Sequence, residues 1–210
     1  MQLRVINNVF KELSRKYPKP KTELISINHY TFLISVLLSA QATDISVNKA
    51  TKALFKVVKN PKQMIDLGEK KLKKYIKSIG LFNSKAKNII ALSKIIVDKY
   101  NNKVPKEFNQ LISLPGVGNK TASVFQNVIY GMPRIAVDTH VFRVVNRIGI
   151  VSSKTADLTQ KKLEKIVPKK WLITAHHLLI LHGRNVCKSQ NPHCYKCTIF
   201  YNCKYQFKKR

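Results

Sequence analysis

The stretch Leu114-Pro115-Gly116-Val117-Gly118-Asn119-Lys120 decides how this chain is read. It has the form of a turn between two helices. A short segment carrying Leu111 and Ile112 precedes it, Pro115 and Gly116 break that segment, and a helical run from Gly118 to Tyr130 follows. Two glycines at alternate positions let the backbone turn tightly and leave its N–H groups bare to a phosphate, beside the positive end of the next helix. Such a hairpin anchors a nucleic-acid backbone without reading its bases. An ordinary helix-helix turn generally needs only one glycine, and a lone G-x-G is a weak signal; the whole string carries more. Lys120 falls near the first turn of the new helix, where the dipole disfavours a protonated amine. Partial burial and neighbouring cations are expected to favour the uncharged amine further, as a nucleophile requires.

Outward from the hairpin, helical periodicity recurs almost everywhere and the alternation of paired strands is scarce, so the fold class is all-α. Met1 to Lys16 reads as an amphipathic helix with Leu3, Val5, Ile6, Val9, Phe10 and Leu13 on its apolar side. Asn28 precedes an apolar run through Leu38. Thr43 or Asp44 opens a helix expected to stop near Asn60, because Pro61 disfavours helical geometry in the residue before it. Asn83 to Tyr100 carries a stripe of Ile89, Leu92, Ile96 and their neighbours, and further helices are expected over Asp138 to Ile148, Leu158 to Val167 and Leu172 to Leu181. No internal repeat and no flexible linker is visible.

A chain of 210 residues is long enough for one large domain or two small ones. Against 39 Lys and Arg stand only 10 Asp and Glu, a formal charge of +29. A fold that tolerates this self-repulsion is expected to live with a polyanion. A Lys/Asn/Ile-rich coding bias is the alternative explanation of the excess, but the depletion of acids alongside it favours nucleic acid. The longest apolar stretch, Phe32 to Ala40, is broken by two serines and falls short of the roughly 20 residues of a membrane span. The N-terminal segment lacks the apolar block of a signal peptide, so the protein is expected to stay where it is made.

Val137-Asp138-Thr139-His140 supplies one of the few acids, after an apolar approach. Asp138 suits a helix N-cap. A carboxylate near a phosphate path is nevertheless costly unless it has a use, such as supporting positive charge on a sugar or moving a proton.

All four cysteines, Cys187, Cys194, Cys197 and Cys203, fall in the last 24 residues with the spacing C-x6-C-x2-C-x5-C. Secreted disulfide scaffolds are usually short and carry a signal peptide, so metal ligation is favoured. Only Cys194 and Cys197 form the close pair typical of zinc knuckles, and the unequal loops suit an iron-sulfur cluster better, with zinc the alternative. His193 is a spare candidate ligand, expected to be a bystander. Lys188, Lys196, Lys204, Lys208, Lys209 and Arg210 crowd the same segment, offsetting thiolates or meeting phosphates.

Taken together, the chain resembles the endonuclease III DNA glycosylases of the helix-hairpin-helix superfamily. The motifs that carry the resemblance run in order: Leu37 to Asp44, Ser78 to Ile89, Leu114 to Ala122, Ala136 to Val144, Leu179 to Arg184, and the cysteine loop. The resemblance implies a two-lobed, all-α fold. A helical barrel would span 22–133, with the helix-hairpin-helix at about 107–130, and a cluster domain would combine 1–21 with 134–210. It implies a 4Fe-4S cluster on the four cysteines across 187–203. It also implies a bifunctional glycosylase and AP lyase of base excision repair that removes oxidised pyrimidines through a Schiff base on Lys120 and cuts 3′ to the abasic site by β-elimination. Asp138 would support charge on the sugar and assist proton transfer. Leu114, Gly116, Val117 and Gly118 would hold the DNA backbone, while Gln41 and Leu81 would fill the space left by the extruded nucleotide. The family commonly has Leu-Tyr at the second of these sites, and this chain has Leu81-Phe82. The implied partner is duplex DNA bearing damaged pyrimidines or abasic sites, met by a monomer, in the cytoplasm and at the nucleoid, away from any membrane. The related adenine glycosylases lack the hairpin lysine. A non-catalytic DNA-binding or redox-sensing iron-sulfur protein is the competing reading.

Overall fold

The computed structural model describes residues 1–209, so Arg210, the last of the C-terminal cations, lies outside the described residues. Among those residues the regular structure is wholly helical: α1 (Leu3–Lys16), α2 (His29–Leu38), α3 (Asp44–Val57), α4 (Pro61–Ile76), α5 (Phe82–Tyr100), α6 (Phe108–Ile112), α7 (Asn119–Tyr130), α8 (Thr139–Ile148), α9 (Ala156–Ile166) and α10 (Leu172–Asn185), with three short 3-10 turns. The chain forms two compact units, one of Glu23–Tyr130 and one joining Met1–Thr22 to the segment from Gly131 onward.

In the 23–130 unit, α2 is the central helix. Every residue from Tyr30 to Leu38 is buried, which is why its sequence is an apolar run and not a stripe. Its start is fixed by Asn28, whose side chain accepts from the Thr31 N–H while the Thr31 hydroxyl accepts from the Asn28 N–H, a reciprocal capping box worth about 1 kcal/mol. The helix α5 presents Ala86, Ile89, Leu92 and Ile96 to the same core, all fully buried. At about 1.5–3 kcal/mol per buried aliphatic side chain, this interior is the main stabilising force of the unit.

One helix escaped the sequence reading. The helix begun by Thr43 ends at Val57, not near Asn60, and Asn60 instead caps α4 by accepting from the Gln63 N–H at 2.9 Å. Pro61 is therefore the first residue of a new helix, a position where its missing N–H costs nothing. Inside α4, Gly68 has φ 77° and ψ 159°, so the helix is broken midway and its periodicity is interrupted.

In the other unit, α1 buries Ile6, Val9, Phe10 and Leu13 among Val141, Val144 and Val145 of α8 and Leu178 and Leu179 of α10. Trp171 stacks on Phe10 with ring centres 6.1 Å apart and donates its indole N–H to Asn7 at 2.9 Å. Leu3, placed on the apolar side from sequence, is exposed. The helix α10 runs four residues beyond Leu181 and is well buried along one side.

Candidate functional site

The hairpin between α6 and α7 is set by Gly116. Its φ is 79°, and a Cβ there would stand 3.0 Å from the Asn88 side chain and 3.1 Å from Leu37 Cδ1, so conformation and packing both demand glycine. Gly118 differs: its backbone does not need glycine, and no atom lies within 4 Å of where a Cβ would be. The missing side chain leaves open space beside the backbone. Leu114 and Val117 are buried, at 2% and 5% exposure, so any contact they make with a ligand is through their backbone. The Val117 N–H donates to the Leu114 carbonyl at 3.0 Å, and Gln126 of α7 donates to the Lys106 carbonyl at 2.8 Å, tying the second helix back to the segment before the first.

Lys120 is the second residue of α7 and is solvent-exposed. The partial burial expected for it is absent. Packing directs the turn of α7 that begins with Ala122 into the core, and the residues immediately before it, which follow the hairpin, face outward.

Two exposed tips belong to the same unit. Gln41 follows α2 with φ 56°, and Leu81 opens α5 with φ 59° and ψ 28°; both are left-handed, both lack the glycine that this region favours, and Leu81 is 58% exposed. The two segments meet at Gly80, where a Cβ would lie 3.7 Å from the Gln41 carbonyl oxygen. Beneath them is a residue that the sequence reading passed over. Lys85 is 5% exposed, and its Nζ donates to the carbonyls of Leu38 at 2.9 Å and Ala40 at 2.6 Å. Burial lowers its pKa. The signal was present in sequence: Lys85 lies four residues before Ile89, on the apolar stripe of α5.

In the other unit Asp138 is the N-cap of α8, accepting from the Val141 N–H at 2.7 Å, and is half-buried. The approach to it is held by His176, buried in α10, whose Nδ1 lies 2.7 Å from the Ala136 carbonyl oxygen.

Cys187, Cys194, Cys197 and Cys203 are free thiols that line one cavity together with Ile148, His182, Val186, Ile199 and Tyr205. Among the described residues no group of three or more His, Cys, Asp or Glu has the geometry to hold a metal ion. Burial pushes the Cys197 thiol up to about 11, with the neighbouring Cys203, Cys187 and Cys194 adding to the rise. Deprotonating the four together would set like charges side by side, a cost that a bound metal centre would relieve. The surroundings suit sulfur ligands: the Tyr205 N–H donates to Cys203 Sγ at 3.4 Å, Arg147 Nη1 donates to Cys187 Sγ at 3.7 Å, and His182 Nε2 lies 3.7 Å from Cys197 Sγ. The loop is fastened by two arginines of α8. Arg143 donates to the Cys187 and Gly183 carbonyls, and Arg147 donates to the carbonyls of Lys188 at 2.6 Å and Ser189 at 2.8 Å while lying over the Tyr205 ring. His193 does not line the cavity.

Regular structure that is wholly helical among the described residues, a glycine hairpin opening onto an exposed lysine, and four cysteines gathered between 187 and 203 together define a helix-hairpin-helix protein. The family described as HhH-GPD superfamily base excision DNA repair protein matches residues 34–169. Endonuclease III of Rickettsia conorii is 56% identical over 207 residues, covering 99% of each chain, and endonuclease III of Escherichia coli strain K12 is 46% identical over 95% of each. A solved structure described as a trapped endonuclease III-DNA covalent intermediate superposes with a TM-score of 0.92 at 40% identity, over 97% of this chain and 96% of that one. The chain belongs to the endonuclease III family of the HhH-GPD superfamily of base excision DNA repair proteins. A thermostable thymine-DNA glycosylase shares the fold with a TM-score of 0.86 at 22% identity. No helix among the described residues is long and apolar enough to cross a membrane.

Proposed function

We propose that this protein is a bifunctional DNA glycosylase and AP lyase of base excision repair, acting on oxidised pyrimidines in duplex DNA with Lys120 as its nucleophile. The observation that carries this reading is the exposed Lys120 one residue into α7, directly after a hairpin whose shape Gly116 imposes, in a chain that matches endonuclease III over nearly its whole length. The hairpin backbone and the start of α7 hold a phosphate, with the gap beside Gly118 leaving room for its approach.

With the nucleotide extruded, the unprotonated amine of Lys120 bonds to C1′ and the glycosidic bond breaks, the base leaving with the electron pair and gaining a proton. The sugar ring opens to an iminium. Loss of a proton from C2′ then expels the 3′ phosphate by β-elimination, and water releases Lys120 by hydrolysis. Lys120 is exposed in the free protein, open to the sugar of a docked strand. Asp138 stabilises the developing positive charge and carries protons; capping α8 through one oxygen fixes the carboxylate for that work.

Cys187, Cys194, Cys197 and Cys203 are the ligands we assign to a 4Fe-4S cluster, supported by their shared cavity and by the N–H donors that point at their sulfurs. Held by these four cysteines, a cluster would cross-link a loop that has only short 3-10 turns of its own. The net charge of +29 makes binding to DNA strongly salt-dependent.

Incubating the protein with an abasic duplex and borohydride is expected to trap a covalent adduct, and Lys120→Ala to give none. Equal yield from the variant would remove the nucleophile assignment. Salt-sensitive binding to a thymine-glycol duplex without any incision would instead favour a non-catalytic DNA-binding protein.

A further inference from the structure

Resting on the reading of Gln41 and Leu81 as the side chains that occupy the space of an extruded nucleotide, we propose that Lys85 is the positioning residue that sets both tips at once. Its backbone N–H donates to the Leu81 carbonyl at 3.0 Å, closing the first turn of α5 on one tip. Its ammonium, at the far end of the side chain, holds Leu38 and Ala40, the carbonyls that lead into the other tip. A single residue thus spans from Leu81 to the residue before Gln41.

The chemistry of that grip is specific. Leu38 ends α2 and Ala40 lies two residues beyond it, where a helix leaves carbonyls without intrahelical donors and carries partial negative charge. A buried cation held by carbonyls is costly compared with a well-packed methionine or leucine, which would fill the same place on the apolar stripe. What the cation adds is direction, because two hydrogen bonds fix the carbonyls that aim the turn. Two exposed non-glycine residues in left-handed geometry are strained and persist only where their surroundings over-determine them. The Lys85 side chain fixes the carbonyls that lead into one of them, Gln41, from a place in the first turn of α5 directly behind the other, Leu81. Ser84 reinforces one side by donating its hydroxyl to the Leu81 carbonyl at 3.0 Å.

The test compares wild type, Lys85→Met, Lys85→Arg, Leu81→Ala and the Lys85→Met/Leu81→Ala double variant on two substrates: a duplex carrying one thymine glycol, and a single strand carrying one abasic site, which needs no extrusion from a duplex. Thermal melting by circular dichroism checks folding. Lys85→Met is expected to lower kcat/KM on the duplex roughly 10- to 100-fold while changing cleavage of the single strand less than about 3-fold, and Leu81→Ala added to it to cost little more, the non-additivity of groups acting as a unit. Lys85→Arg, which keeps the cation, is expected to retain most of the duplex activity; should Lys85→Met not fold, the same split is read from Lys85→Gln, which removes the cation but keeps a polar side chain. Equal losses on both substrates, or additive losses from Lys85→Met and Leu81→Ala, would overturn the positioning role. Wild type inactive on both substrates would count against the glycosylase reading itself, a result distinct from either.

Discussion

The hairpin at 114–120 and the cysteine loop at 187–203 are both short irregular segments, yet they are held by opposite means. The hairpin is shaped by packing: Gly116 sits against Asn88 and Leu37, and Leu114 and Val117 are buried beneath it. The cysteine loop contains only two three-residue 3-10 turns and is fastened by arginine side chains gripping its carbonyls. Packing around Gly116, with a few hydrogen bonds, shapes the hairpin and leaves Lys120 exposed beside it. A loop with so little core of its own needs a cross-link.

The sharpest way to break this contrast is at Lys120. Lys120→Ala is expected to cost on the order of 10⁴-fold or more in strand incision while shifting stability by no more than about 0.5 kcal/mol, since it removes an exposed side chain that the fold does not use. A melting shift as large as the activity loss would mean that the lysine is structural. The converse is expected at the cysteines. Cys197→Ser, or chelation of the iron of the proposed cluster, is expected to abolish the cluster's broad visible absorbance and to destabilise the unit of 1–22 and 131 onward by several kcal/mol, with hydrogen exchange slow in the 23–130 unit and fast in the cysteine loop. Uniform loosening of both units would erase the distinction.

Smaller effects sharpen it. Asp138→Asn keeps a good N-cap, so stability is expected within about 0.5 kcal/mol of wild type while turnover falls about 100-fold; a large melting shift would show capping to be the main role. Gly116→Ala forces a Cβ into a left-handed position against Asn88 and is expected to cost about 2 kcal/mol, measured by urea unfolding, whereas Gly118→Ala costs under about 1 kcal/mol and weakens DNA binding instead.

Much of the helical fold was legible because amphipathic stripes and caps are local. Asn28, Thr43 and Asp138 each cap the helix they announce, through their own side chains. The helix α4 was not legible, because Pro61 signals both the end of one helix and the start of another, and Gly68 breaks the period that would have chosen between them. At the site, the need for glycine at 116 is visible as a motif, but its cause, the Asn88 and Leu37 side chains, is tertiary. The exposure of Lys120 depends on which turn of α7 the core claims, which its own sequence does not state. Lys85 was hidden for a different reason: among 39 basic residues, one lysine on an apolar stripe looks like noise until two carbonyls are found at its tip.

Peptide mass spectrometry of the borohydride-reduced protein–DNA adduct tests the nucleophile most directly. The added sugar is expected on Lys120 alone. Its appearance on another lysine, with Lys120 unmodified, would contradict the chemistry assigned to this chain.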